Sequence, residues 1–176
     1  MRVFLDVDGV LANFNKGAFE ALGLEYNYHH PALNEWHWYE YFGISLKKLN
    51  AVCDIGFWAN LEWIHDGKQI LDVVESRFDD IYLLTTPMPH PGSGTGKILW
   101  IEKHLPRYAK RTIITQAPKH ILAGPDCLLI DDRDENVAEF VAAGGVGILI
   151  SRPWNRGRGW ADDTLEVVKN SLEEIR

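Results

Sequence analysis

Short, uninterrupted apolar runs alternate along this chain with longer stretches in which apolar residues recur every three or four positions. The runs are Val3-Phe4-Leu5, Ile81-Tyr-Leu-Leu84, Thr112-Ile-Ile-Thr115, Cys127-Leu-Leu-Ile130 and Val146-Gly-Ile-Leu-Ile150, each bounded by polar or turn residues. Apolar runs of that length, without polar alternation, mark strands buried on both faces of a parallel sheet. Between them the spacing predicts helices over Asn13 to Leu22, over Gly67 to about Arg77 behind an Asp66 N-cap, and over Lys97 to Leu105. Two more are predicted over Glu135 to Ala143, with Gly144 as C-terminal cap, and over about Asp163 to Ile175. Strands alternating with helices predict an α/β fold on a parallel sheet.

The alternation is interrupted once. Glu25 to Asn34 is polar and turn-like, and an aromatic-dense stretch follows with Trp36, Trp38, Tyr39, Tyr41 and Phe42, then Phe57, Trp58 and Trp63. This predicts a small helical insert, residues 14–65, after the first strand, with a core made of 1–13 and 66–176. The Gly/Pro-rich stretch from Pro89 to Gly96 predicts a mobile loop before the helix that starts at Lys97.

Composition narrows the class. A chain of 176 residues with 46% hydrophobic side chains suits one core with a modest insertion. No run reaches the ~18–20 apolar residues of a membrane span, and an aspartate at position 6 argues against a signal peptide. Cys53 and Cys127 read as two core thiols rather than a disulfide, which favours a cytoplasmic location. The net charge is −7 at pH 7, and with no basic face evident, long nucleic acid is excluded as a partner. An anionic ligand would be held by a few local cations.

The candidate chemistry sits at the ends of the predicted strands. The first ends in Asp6-Val-Asp8-Gly9, the second in Thr85-Thr86, the fourth in Asp131-Asp132, and Lys119 lies between the third and fourth. Adjacent carboxylates repel one another, so both stay ionised only if a cation or basic groups join them. Strand ends are also where open α/β sheets bind ligands. A metal-assisted site is the expectation.

The order Asp-x-Asp, apolar-Thr, Lys, apolar-Asp-Asp resembles the four motifs of the haloacid dehalogenase superfamily. That resemblance implies a Rossmann-like parallel sheet with a small helical cap after the first strand, and Mg2+ as cofactor. Asp6 and Asp131 would be its side-chain ligands, with the Asp8 carbonyl a further one. Asp6 would attack phosphorus as nucleophile and Asp8 would act as general acid and base. Thr85 and Lys119 would bind phosphoryl oxygens, and Asp132 would orient metal-bound water or Lys119.

Further segments are similar to the 5'(3')-deoxyribonucleotidase family: Asp6 to Phe14, Gly56-Phe57-Trp58, Leu83 to Pro87, Trp100 to Lys103, Leu129 to Arg133, Arg152 to Asn155 and Gly159 to Asp163. This implies a phosphatase of deoxyribonucleoside monophosphates, with a small nucleotide as partner and the homodimer admitted. Phe14, Phe57 and Trp58 would stack on the base, in preference to Trp36, Trp38 or Tyr39, with Thr86 and Lys97 as further substrate contacts. A phosphatase for another small phosphate ester and a non-catalytic nucleotide-binding module stay open as alternatives.

Other signals carry less. Gly92-Ser-Gly-Thr-Gly96-Lys97 lacks the spacing of a phosphate-binding loop, since Pro91 and Ile98 stand at required positions. His29, His30 and His37 have no cysteine partners for zinc. Arg152, Arg156 and Arg158 read as a solvated basic loop.

Overall fold

The computed structural model describes residues 1–175, so Arg176, last in the expected core segment, lies outside the described residues. Five parallel strands form a single sheet: β1 (Arg2–Leu5), β2 (Ile81–Thr85), β3 (Thr112–Ile114), β4 (Cys127–Asp131) and β5 (Val146–Leu149), in the order β3-β2-β1-β4-β5. Val3 and Leu5 on one face of β1 and Phe4 on the other are all buried, as a strand covered on both faces requires. Leu5 stands opposite Leu83 on one side and Ile130 on the other, so the polar residues that follow these strands emerge together at one sheet edge. The chain builds outward from β1 to β2 and β3, then crosses to β4 on the opposite side. That reversal opens a crevice between the ends of β1 and β4, the place where such sheets take ligands.

Helix α1 (Phe14–Ala21) starts at Asn13, whose side chain accepts the Lys16 amide at 3.1 Å, and is followed by Gly23 at φ +72°. Helices α2 (Leu46–Val52) and α3 (Ile55–Ala59) follow 3-10 turns at Pro31–Asn34 and Trp38–Phe42. Asn13 donates its backbone N–H to the Glu62 carbonyl and Ile64 donates to that of Leu11, both at 2.8 Å. The chain therefore returns to the sheet beside the point where it left. Phe19, Leu33, Trp38, Leu49 and Trp58 from this stretch share one hydrophobic cluster with Val3 and Leu5.

Helix α4 (Gly67–Glu75) forms where the periodicity places it, but Asp66 does not cap it; its carboxylate is spent on Arg152. Helix α5 (Gly92–His104) begins five residues earlier than expected, and the stretch read as a mobile loop supplies its first turns. Two of its glycines, Gly92 and Gly96, serve close packing on α3. A Cβ at Gly96 would lie 2.4 Å from Trp58 Cβ and 2.7 Å from the Ile55 carbonyl, and one at Gly92 would lie 2.6 Å from Ile55 Cγ1. Helix α6 (Asp134–Ala142) ends before Gly144 at φ +93°, and α7 (Thr164–Glu173) closes the fold. Arg152, read as part of a solvated loop, is fully buried. Cys53 and Cys127 are both free. Among the described residues no helix is long and apolar enough to cross a membrane.

Candidate active site

Asp6 leaves the end of β1 with its backbone N–H donating to the Ile130 carbonyl at 2.9 Å, which sets it beside Asp131 at the end of β4. Lys119, buried in the 3-10 turn Lys119–Leu122, places its ammonium between them, 2.8 Å from Asp6 Oδ1 and 2.6 Å from Asp131 Oδ2. Asp131 is further fixed by the Arg133 amide on Oδ1 at 2.9 Å and by Asn136 Nδ2 on Oδ2 at 3.0 Å. The neighbouring Asp132 accepts the Trp154 indole N–H on Oδ2 at 2.6 Å. Oxygens of Asp6, Asp131 and Asp132 all lie within 4.8 Å of one another.

Burial and crowding act on the protons of this cluster. Burial pushes the Asp6 carboxyl up to about 7; Lys119 opposes the rise, while Asp131 and Asp8 add to it. Asp132 is held well above the usual carboxylate range by burial, then by Asp131 and Asp6. Burial alone would lower the Lys119 ammonium, but its contacts with Asp6 and Asp131 outweigh that and raise it.

Asp8 belongs to a second, adjoining group. Its Oδ2 accepts from the Thr85 hydroxyl at 3.2 Å and from the Lys97 ammonium. Lys97 also donates to Thr85 Oγ1 at 3.0 Å and lies over the Trp58 ring, 4.2 Å from its centre. Asp8 Oδ1 is buried without a hydrogen-bond partner.

These residues fit a divalent cation. At this edge the four carboxylates of Asp6, Asp8, Asp131 and Asp132 face the two ammonium groups of Lys97 and Lys119. Buried carboxyl groups crowded this closely ionise together only with a cation among them, and an all-oxygen donor set is what Mg2+ takes. The orphaned Asp8 Oδ1 adds to the demand for a positive partner.

A cavity of about 360 Å³ opens beside the acids, with Asp8, Gly9 and Asp132 in its wall. Of the expected substrate contacts, Phe14, Trp58 and Thr86 line it. Phe14 stacks on Trp58 with ring centres 5.3 Å apart and planes 18° from parallel, and the Trp58 indole N–H is tied to the Cys53 carbonyl at 2.9 Å. Phe57 and Lys97 do not line the cavity. Phe57 instead packs edge-on against both aromatic rings, and Lys97 lies buried beside Asp8 and Thr85.

Trp36, Trp38 and Tyr39, ranked below those residues on sequence, do line the cavity, together with Asn15, Met88 and Arg133, which sequence reasoning missed. Arg133 sits 5.2 Å from the centre of the Trp36 ring. Its position directly after Asp131-Asp132 was the signal that could have found it. Asn15 follows Phe14 and accepts the Trp38 indole N–H at 2.9 Å. No local pattern announced that contact.

The chain matches a family model described as "5' nucleotidase, deoxy (Pyrimidine), cytosolic type C protein" over residues 1–167. It is similar to a protein of Vibrio phage KVP40 named "Putative 5'(3')-deoxyribonucleotidase", at 29% identity over 140 residues, 79% of this chain and 71% of that one. It is also similar to a 5'(3')-deoxyribonucleotidase of Bacillus subtilis (strain 168), 25% identical over 103 residues, 58% of this chain and 56% of the relative. The chain thus spans little more than half the length of that second relative. Among solved structures, a hydrolase from Pseudomonas syringae superimposes with a TM-score of 0.55 at 13% identity, covering 99% of both chains. A HAD hydrolase, family IA, variant 3, from Entamoeba histolytica HM-1:IMSS gives 0.52 at 11% identity, over 98% of this chain and 99% of that one. At such identities these likenesses show the fold, a parallel α/β sheet of the haloacid dehalogenase type.

Proposed function

This chain belongs to the family of the 5' nucleotidase, deoxy (pyrimidine), cytosolic type C protein, a family of phosphoric monoester hydrolases, and on that premise we propose that it is a magnesium-dependent phosphatase of deoxyribonucleoside monophosphates. The observation that carries the reading is the meeting of Asp6, Asp8, Lys119 and Asp131 at the sheet edge, beside a cavity walled by Phe14, Trp36 and Trp58. The stretch 14–65 acts as a small cap that supplies most of this aromatic wall.

Asp6, Asp131 and the Asp8 carbonyl would hold the magnesium, which when bound neutralises phosphoryl oxygens and lowers the repulsion that a phosphate ester presents to an anionic nucleophile. Asp6 attacks phosphorus with one carboxylate oxygen. A P–O bond forms to Asp6 as the bond to the sugar oxygen breaks, leaving an aspartyl-phosphate. Asp8 serves as the general acid, giving a proton to the departing alkoxide. It then removes a proton from the water that attacks phosphorus, which releases phosphate and restores Asp6. Lys119 offsets negative charge in both transition states.

Thr85 and Lys97 act on Asp8, since the Thr85 hydroxyl is already engaged with Asp8 and Lys97. The Thr86 side chain, in the cavity wall, takes a phosphoryl oxygen. Large aromatic faces suit a nucleobase because every base offers a π-face for stacking.

Phosphate release from a panel of nucleoside monophosphates and sugar phosphates, with and without magnesium and beside Asp6→Asn, tests the reading. Deoxynucleotides turned over well above the sugars, and lost in the variant, are the expected result. Turnover of sugar phosphates alone would keep the chemistry and discard the substrate. Nucleotide bound without phosphate release would discard the enzyme.

A further inference from the structure

Arg152 takes no part in the mechanism above, yet it is one of the most completely engaged side chains in the molecule. It follows β5, is fully buried, and uses its guanidinium as a fork: Nη1 and Nη2 donate to Asp66 Oδ2 and Oδ1, each at 2.8 Å. Its Nε donates to the Gly9 carbonyl at 2.7 Å. Asp66 is buried as well, at 6% exposure. A buried ion pair is costly to desolvate and adds little stability over apolar residues of similar volume. A stabilising role therefore does not account for it, whereas the address of its third donor does.

Gly9 closes the turn Asp6-Val-Asp8-Gly9. The residues that follow Arg152 reach the other acid-bearing turn: Trp154 donates to Asp132 Oδ2 at 2.6 Å, and Asn155 Nδ2 donates to the Asp132 carbonyl at 2.7 Å. The two turns also touch directly. Gly9 has φ +75°, and a Cβ there would stand 2.1 Å from Asp132 Oδ2 and 3.2 Å from the Trp154 ring. One segment, Arg152 to Asn155, thus fastens the ends of β1 and β4 to each other.

We propose that Arg152, held by Asp66, is a positioning residue that fixes the Asp6–Gly9 turn through the Gly9 carbonyl, so that the Asp6 carboxylate and the Asp8 carbonyl are preset for the cation and the substrate. The inference rests on the phosphatase reading for its catalytic consequence, but its consequence for metal affinity stands apart from turnover. Partners that orient metal ligands from behind are worth about 10–100-fold in affinity or activity, and lysine cannot replace the fork, because a single ammonium cannot reproduce a planar bidentate grip together with a third bond.

The test compares wild type with Arg152→Lys and Asp66→Asn, and with Val74→Ala, a buried position on the helix that follows Asp66. Magnesium affinity is measured by calorimetry without substrate, and kcat and KM are measured on the best substrate found. Arg152→Lys is expected to weaken magnesium about 10–100-fold and to lower kcat by a similar factor, with KM within about threefold. Asp66→Asn should show the same pattern at smaller size, and Val74→Ala should lose melting temperature with kcat and magnesium affinity unchanged.

Either site variant, folded by circular dichroism and with wild-type kcat and magnesium affinity, would overturn the proposal. So would a loss confined to KM. Should Arg152→Lys fail to fold, Asp66→Asn carries the test, since it keeps the side-chain volume and one acceptor. A wild-type protein inactive on every ester would sink the phosphatase reading while leaving the magnesium comparison able to decide the role of Arg152.

Discussion

Lys119 and Asp6 form an ion pair with a 2.8 Å contact, with side-chain exposures of only 3% and 10%. The same ammonium serves Asp131 at 2.6 Å, so one cation holds two buried carboxylates in place. Lys119→Met would leave both uncompensated. Breaking a buried pair in this way costs about 3–5 kcal/mol, and urea unfolding in magnesium-free buffer should show a loss of that size. Magnesium should recover part of it, because the ion replaces the missing positive charge.

Asp6 makes the opposite prediction. Its carboxyl is raised from 3.8 to about 7, foremost by burial, so between those values the folded protein binds a proton that the unfolded chain has released. Stability from this group is therefore present at low pH and lost as pH rises toward 7. In magnesium-free buffer, Asp6→Asn should remove the part of the stability loss between pH 5 and pH 8 that comes from this group, and with magnesium present it should abolish turnover. The rise in melting temperature produced by magnesium should grow from pH 5 to pH 8 in the wild type and shrink in the variant. An equal magnesium effect at both pH values would contradict this assignment.

Phe14 and Trp58 share a stack and a cavity wall but should respond differently to truncation. Phe14 is partly exposed, and Phe14→Ala removes a face for the base, worth about 1–3 kcal/mol. KM for nucleotides should rise about 5–150-fold with little change in kcat. Trp58 is 2% exposed, bonds the Cys53 carbonyl and underlies Lys97. Trp58→Ala should cost about 3–5 kcal/mol of stability, visible in thermal unfolding before any kinetic effect is read.

Two glycines of α5 separate packing from propensity. At Gly94 an added Cβ meets nothing within 4 Å, whereas at Gly96 it collides with Trp58 and the Ile55 carbonyl. Gly94→Ala should therefore stabilise by about 0.5–1 kcal/mol through helix propensity. Gly96→Ala should destabilise by about 1–3 kcal/mol through overpacking. Urea midpoints at constant slope distinguish the two.

The apolar runs predicted all five strands to within a residue or two, because a strand buried on both faces has no polar alternation to confuse it. The acids at their ends were legible for the same reason: a carboxylate pair directly after a buried strand has few structural uses. The glycines of α5 misled because glycine fits a turn and a close helix contact equally well, and the difference lies in Trp58 and Ile55, distant in sequence. Asp66 misled likewise, since an aspartate before a helix looks like a cap until Arg152 arrives to claim it.

What the sequence determined by itself was therefore whatever is written in neighbouring residues: the strands, the order of the elements, and the identity of the charged groups at the sheet edge. Only the tertiary structure decided which of those groups meet. The parallel crossovers place Asp6 against Asp131 and leave Lys97 beside Asp8. Return of the chain from residue 61 to the sheet brings Trp36 and Tyr39 into the cavity wall while Phe57 packs outside it, and burial turns Arg152 from a surface cation into a fork on Gly9. The physical reason is that short-range periodicity encodes which face of an element is buried, whereas the partner of a buried charge is set by desolvation and geometry across the whole fold.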